Sequence, residues 1–214
     1  MPTEELTRAL SDAQSTLMVT GSGISASAGL PTYRGTGAPD AALLPAMSAG
    51  TYRQHLPLLW ETVLPMVSAA RRHGPTRAHS AIEELRQIAM ADGREFIVAT
   101  QNIDGLHQLA GTPALELHGS VLRAREVDAS DGVAPVAVSG LEPPRDDQHR
   151  LMRPDTVFFG EQIHHQEDLE SAAAAADLLI MVGTSGNVWP VAGLVNRIRS
   201  RGDRTALINL EPWS

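Results

Sequence analysis

Three short stretches of this chain carry residues that can do chemistry. Residues 20–37 read TGSGISASAGLPTYRGTG and follow the apolar run STLMV. Gly21, Gly23 and Ala26 fit a G-x-G-x-x-G/A pattern directly after that strand-like run. Glycines at such a turn let the backbone approach a pyrophosphate, and the freed N–H groups bind the anion. Any tight strand-to-helix turn can use the same glycines, so the pattern alone leaves both readings open. The second stretch is Gln101-Asn102-Ile103-Asp104, a polar cluster after EFIVAT. The third is ELHGS, which carries His118. Histidine titrates near neutrality and suits general-base work. A loop histidine that only bonds a backbone carbonyl is the plainer alternative.

The rest of the polar inventory narrows the chemistry. A hydride-transfer enzyme of the usual dinucleotide type needs a carboxylate about twenty residues after its glycines, at the end of a second strand. Here that region is ALLPAMSAG, with Asp40 in the loop before it, so such an enzyme fits poorly. Tyr33-Arg34-Gly35, hinged by Gly29, Gly35 and Gly37, suggests a loop that covers a cofactor. There is no cysteine, which removes thiolate catalysis, disulfides and cysteine-based zinc sites. His79 and His107 read as packing or capping residues. His164-His165 reads as a solvated pair, because adjacent side chains diverge and no third ligand is evident. Trp60 and Trp189 read as packing residues.

These residues need elements to position them. Residues 16–20, 95–100, 178–183 and 205–210 are nearly all apolar, as strands buried on both faces are. Helical patterns fill residues 3–13, 51–73, 75–91, 166–176 and 190–201, the second interrupted by Pro57 and Pro65. The alternation predicts an α/β doubly wound parallel sheet. Residues 36–74 and 121–153 break it and read as excursions. The net charge of −8 over 214 residues excludes a strongly basic nucleic-acid surface and general affinity for anionic membranes. The N-terminus, MPTEELTRALSDAQ, lacks the features of a signal peptide, and no apolar run reaches membrane-span length. A cytoplasmic location is the expectation.

Five motifs then occur in order: QNIDGLH, ELHGS, RPDTVFFGE, GTSGNVWP and INLE. The set resembles the sirtuins, the NAD-dependent protein-lysine deacylases, over about residues 15–211. The resemblance implies a Rossmann-like NAD-binding large domain from residues 1–35, 75–120 and 154–214. It implies a smaller inserted lobe from 36–74, a helical insert, and 121–153, a zinc-free module. It places Gly21, Ser22, Gly23 and Ile24 at the pyrophosphate, with Arg34 beside the cofactor and Tyr33 shielding the reacting ribose carbon. Gln101, Asn102, Ile103 and Asp104 fall at the nicotinamide and ribose pockets. Gly183, Thr184, Ser185, Asn209 and Leu210 fall around the adenosine. His118 matches the catalytic base, supported by Asn102 and Asp104. An acylated-lysine peptide is implied to add as a strand between Val157-Phe158-Phe159-Gly160-Glu161 and Asn187-Val188-Trp189. In the implied reaction the acyl oxygen captures the ribose carbon as nicotinamide leaves. His118 activates a ribose hydroxyl to attack the captured carbon, and water then completes the release of O-acyl-ADP-ribose and free lysine.

Three departures from the family pattern carry expectations of their own. Sirtuins usually hold a structural zinc with four cysteines after the catalytic histidine; here 34 residues separate His118 from Arg153 and none is cysteine. A metal-free lobe held by Val121, Leu122, Val127, Val133, Val136, Val138 and Leu141 is expected. Some relatives bind acidic acyl groups with a Tyr and an Arg on the helix of the small lobe. The matching positions here are Val63 and Met66, so acetyl or longer apolar acyl chains are expected over succinyl. The chain stops at Ser214 after NLEP, where relatives continue over the adenine. This implies weaker cofactor affinity or completion of the site by a partner or symmetry mate. Two alternatives stay open: an ADP-ribosyltransferase or NAD glycohydrolase on the same site, and a non-catalytic NAD-binding module. The sequence does not define the oligomeric state.

Overall fold

A computed structural model describes residues 3–30, 43–128, 133–184 and 191–210. The apolar runs form strands β1 (Ser15–Thr20), β2 (Glu95–Thr100), β7 (Leu178–Val182) and β8 (Arg204–Ile208). With the two-residue β3 (Leu115–Glu116) they make one parallel sheet in the order β3-β2-β1-β7-β8. Both faces are covered, which is why the strands read as continuous apolar runs. Leu17, Val19, Leu179 and Met181 face a core shared with Leu169 of helix α4 (Gln166–Ala175) and Leu194 and Ile198 of α5 (Val191–Ser200). Met18, Phe96, Val98 and Ile180 face the other side, against Ala9 of α1 (Thr3–Asp12) and Ile82 and Ala89 of α3 (Arg77–Ala91). The expected α/β doubly wound sheet is therefore present. Its order reverses between β1 and β7, and ligands of such sheets bind at the carboxyl ends of the strands beside that reversal.

A second layer is built on helix α2 (Leu56–His73). The sequence predicted an interrupted helix here, and the structure corrects that. Pro57 sits in the first turn, where a missing N–H costs nothing, and the helix runs on through Pro65. A three-stranded antiparallel sheet packs on it, in the order β5 (Val136–Ala137), β4 (Gly119–Arg125), β6 (Arg153–Thr156). Their shared core contains Tyr52, Leu59, Trp60, Val63, Val67, Val121, Ala124, Val138, Met152 and Phe158. The expected core of this layer is right for Val121 and Val138, while Leu122 and Val127 pack at its margin. It is wrong for Val133, Val136 and Leu141, which are exposed. Aromatic and aliphatic side chains from α2 and from the turn before it fill that volume instead. Trp60 is fully buried and donates its indole N–H to the Met152 carbonyl at 2.8 Å. Among the described residues no helix is long and apolar enough to cross a membrane.

Candidate active site

The glycine turn lies at the reversal of strand order. A 3-10 segment, Ser22–Ala28, follows β1 directly. Gly21 donates its N–H to the Val182 carbonyl at 3.0 Å, and Gly23 donates to the Gly183 carbonyl at 2.9 Å. A Cβ on Gly23 would lie 2.7 Å from the Gly183 Cα, and one on Gly183 would lie 2.7 Å from the Ile24 nitrogen. The glycines therefore bring the ends of β1 and β7 into backbone contact. This adds a physical reason that the phosphate argument lacked, and it commits the Gly23 N–H to the chain itself.

The polar cluster is assembled around that contact. Asn102 donates to the Gly21 carbonyl at 3.1 Å and to Ser25 Oγ at 3.2 Å. Ser25 in turn donates to Asp104 Oδ2 at 2.6 Å, and Asp104 Oδ1 caps the Leu106 N–H at 2.9 Å. Each Asp104 oxygen thus already accepts a donor from the chain, and all three side chains are buried. Ser25 was not singled out from the sequence, although it stands inside the GSGIS turn. Gln101 accepts from Thr184 Oγ1 at 2.9 Å, and Asn209 donates to the Thr184 carbonyl at 3.2 Å. One ring of contacts thus joins the ends of β2, β1, β7 and β8.

His118 completes the ring. Its Nδ1 lies 2.8 Å from the Gln101 carbonyl oxygen. A carbonyl only accepts, so Nδ1 carries the proton and Nε2 presents a lone pair. Burial lowers the pKa of the imidazole below its ordinary value, and the bond to Gln101 offsets this only in part. The histidine is neutral at pH 7 and ready to accept a proton. Gly119 follows it with φ +73°, and a Cβ there would collide with the Asp155 carbonyl. That position holds the histidine where the two sheets meet. The His118 carbonyl accepts the Val157 N–H at 2.9 Å, tying the histidine to the 157–161 segment.

Behind the histidine, Arg123 bridges Glu116 at 2.6 Å and Asp155 at 3.0 Å. Burial raises the Glu116 carboxyl, and Arg123 opposes that shift. Arg153 and Asp155 stand in RPDTVFFGE and Glu116 in ELHGS, but their pairings were not foreseen, because no pattern marks a buried charge whose partner is distant along the chain. His79 and His107 pack edge to face with ring centroids 4.7 Å apart. His79 caps α3 with Thr76, and His107 meets Thr20 Oγ1 at 2.9 Å. His164 is half-buried and His165 exposed beside Asp168. Of the other predicted contacts, Ile24 is buried, Ile103 is half-buried, and Leu210 is fully exposed. Phe158 is buried and Phe159 half exposed at its rim. Val63 is buried in the same core as Phe158, with Met66 and Ile103 at its margin. Tyr33, Arg34, Ser185, Asn187, Val188 and Trp189 lie outside the described residues.

The amide Nε2 of Gln101 is buried and has no hydrogen-bond partner among the described residues. Leaving such a donor unmet costs about 1–3 kcal/mol. A ligand acceptor at the mouth of the ring would satisfy it, so this position fits a cofactor that carries such an acceptor. Among the described residues no group of three or more His, Asp or Glu side chains could hold a metal ion.

A doubly wound α/β sheet with a polar ring and a neutral histidine at its reversal point defines the class. The particular family follows from comparison. The Sir2 family model matches residues 21–190, and the chain belongs to that family. An NAD-dependent protein deacylase 2 of Pyrobaculum aerophilum is 35% identical, across 95% of this chain and 82% of its own length. An NAD-dependent protein deacylase of Thermus thermophilus is also 35% identical, across 98% and 84%. Among solved structures, a Sir2 homolog–NAD complex superposes with a TM-score of 0.85 at 26% identity, covering 100% of this chain and 84% of the other. A Sir2–p53 peptide–NAD+ complex gives 0.78 at 28% identity, covering 100% of this chain.

Proposed function

We propose that this chain is an NAD-dependent protein-lysine deacylase acting on an acylated-lysine protein or peptide. The observation that carries the reading is His118, held as a neutral imidazole by the Gln101 carbonyl. Relatives with NAD and with an NAD–peptide pair in the same fold support it. NAD, when bound, would supply the ribose carbon that captures the acyl oxygen, the ribose hydroxyl that ends acylated, and the nicotinamide that leaves. His118 Nε2 accepts a proton from a ribose hydroxyl. Gln101 Nε2 and Asn102 orient the cofactor, and Asp104 fixes Ser25 and the loop that carries them. A mass-spectrometric assay with NAD and acyl-lysine peptides tests this. Deacylated peptide and O-acyl-ADP-ribose should appear together, and both should vanish in His118→Ala. NAD consumption that is equal with and without peptide would favour the glycohydrolase reading instead.

Two finer readings belong to the same proposal. Val63 and Met66 bring no cation to the core beside Phe158, and the one guanidinium against that ring, Arg153, is already committed to Glu161, so acetyl or longer apolar acyl chains are the substrates. A succinyl carboxylate there would be desolvated without a free cationic partner. Succinyl-lysine emerging as the best substrate in a peptide panel would refute this. The module after His118 is zinc-free, because apolar side chains from α2 fill its core and the chain has no cysteine. Elemental analysis should find well below one zinc per chain, and a chelator should leave the unfolding temperature unchanged.

A further inference from the structure

The first residue of β6 is an arginine that this reaction scheme does not use. Arg153 is 5% exposed. Its guanidinium forks onto Glu161, Nη1 to Oε1 at 2.6 Å and Nη2 to Oε2 at 2.9 Å. Nη2 also donates to the Thr156 carbonyl at 2.7 Å. The guanidinium carbon lies 4.5 Å from the Tyr52 ring centroid and 4.0 Å from that of Phe158, and the two rings are 4.9 Å apart. Glu161 Oε2 accepts the Phe158 N–H at 2.9 Å, and the Glu161 N–H returns to the Phe158 carbonyl at 2.9 Å. Residues 158–161 are therefore closed into a turn whose carboxylate is gripped from behind.

The same turn is tied to the helical insert. Phe159 donates to the Met47 carbonyl at 2.8 Å and accepts the Ala49 N–H at 3.0 Å. Phe159 thus spends its main-chain groups on residues 47 and 49, and Phe158 spends its own on Glu161. Among the described residues the Gly160 main chain makes no hydrogen bond, and it is there that an incoming peptide strand can pair. A buried ion pair is a poor source of stability, since apolar side chains of equal volume do as well. What a bidentate fork adds is fixed geometry.

We propose that Arg153 is a positioning residue for the substrate peptide. Through Glu161, Tyr52 and Phe158 it locks the 157–161 turn in the form that accepts an added strand. The proposal rests on the deacylase reading and its peptide groove. Burial alone would raise the Glu161 carboxyl, and Arg153 with the Phe158 N–H holds it below its ordinary value. The fork therefore stays ionised across the working pH range.

The test uses two variants of the full chain. Arg153→Lys keeps the charge but loses the fork and the planar stack. Arg153→Met with Glu161→Met removes both charges together and leaves neither unpaired. Steady-state kinetics with NAD and an acetyl-lysine peptide would be read beside calorimetric peptide binding and thermal unfolding. The expected result is a peptide KM and Kd raised at least about tenfold, with kcat and the KM for NAD within about twofold, in a cooperatively folded chain. Unchanged peptide affinity in a folded variant overturns the proposal. So does a parallel loss of NAD affinity, or failure of both variants to fold, which would make the group a structural keystone only. If the unmutated protein binds and deacylates no peptide, the deacylase reading itself fails, and this proposal with it.

Discussion

At the scale of single residues, the tautomer of His118 decides what the site can do. Its Nδ1 is committed to the Gln101 carbonyl, and burial depresses its pKa from an ordinary 6.5. A general base works only when deprotonated. The acid limb of kcat/KM for the peptide should therefore have its midpoint below pH 6.5, with activity flat from there to pH 8. His118→Ala should lose at least about a hundredfold in kcat. A limb centred above pH 6.5 would mean that another group titrates. Much of this site was legible in the sequence, because QNID, ELHGS and GSGIS are local strings. Ser25 was hidden in plain view, since its partner Asp104 lies 79 positions away. The pairings of Arg153 and of the Glu116–Arg123–Asp155 trio were illegible for a related reason, although RPDTVFFGE and ELHGS contain three of these residues. A charge is buried only when its counter-charge is in place, and one sequence does not print that pairing.

At the scale of elements, the longer parallel strands announce themselves, while the two-residue parallel β3 and the antiparallel strands do not. β1, β2 and β7 are mostly buried on both faces, so each had to be a run of apolar residues, and β8 at the sheet edge reads apolar although it buries only Ala206. β6 reads Arg-Pro-Asp-Thr and is nonetheless fully buried, its charges neutralised by Glu161 and Arg123. No hydrophobic pattern could have found it. The junction between the β1 and β7 turns makes a test at this scale. Gly183 has φ +61°, and a Cβ there would strike the Ile24 backbone. Gly183→Ala should cost about 1–3 kcal/mol from strain and overpacking. Thermal unfolding should drop by roughly 2–4 °C for each kcal/mol lost in a chain of this size. Gly50→Ala is the control, since its Cβ would meet nothing within 4 Å. Equal effects at both positions would show that the glycine contact does not join these two strands.

At the scale of the whole molecule, the buried histidines set how the fold meets acid. Burial lowers His107 to about 3 and lowers His79 and His118 as well, each from an ordinary 6.5. The unfolded chain therefore binds protons near pH 6.5 that the folded chain refuses. Stability from these groups is fully present above pH 6.5 and declines as pH falls toward 3. Glu83, held down to about 2 by Arg86, adds the same sign below the ordinary carboxylate range. Glu116, raised by burial, adds the opposite sign, because acid relieves its desolvated charge. Each proton taken up only by the unfolded chain costs about 1.4 kcal/mol per pH unit. From pH 7.5 to 5, His107 alone should remove about 2 kcal/mol, before His79 and His118 are added. Denaturant unfolding at those two pH values measures the sum. His107→Asn keeps a polar group beside Thr20 and should flatten that dependence by most of the His107 share. An unchanged slope would place the acid sensitivity elsewhere, with the carboxylate pairs of the two sheets as the next groups to remove.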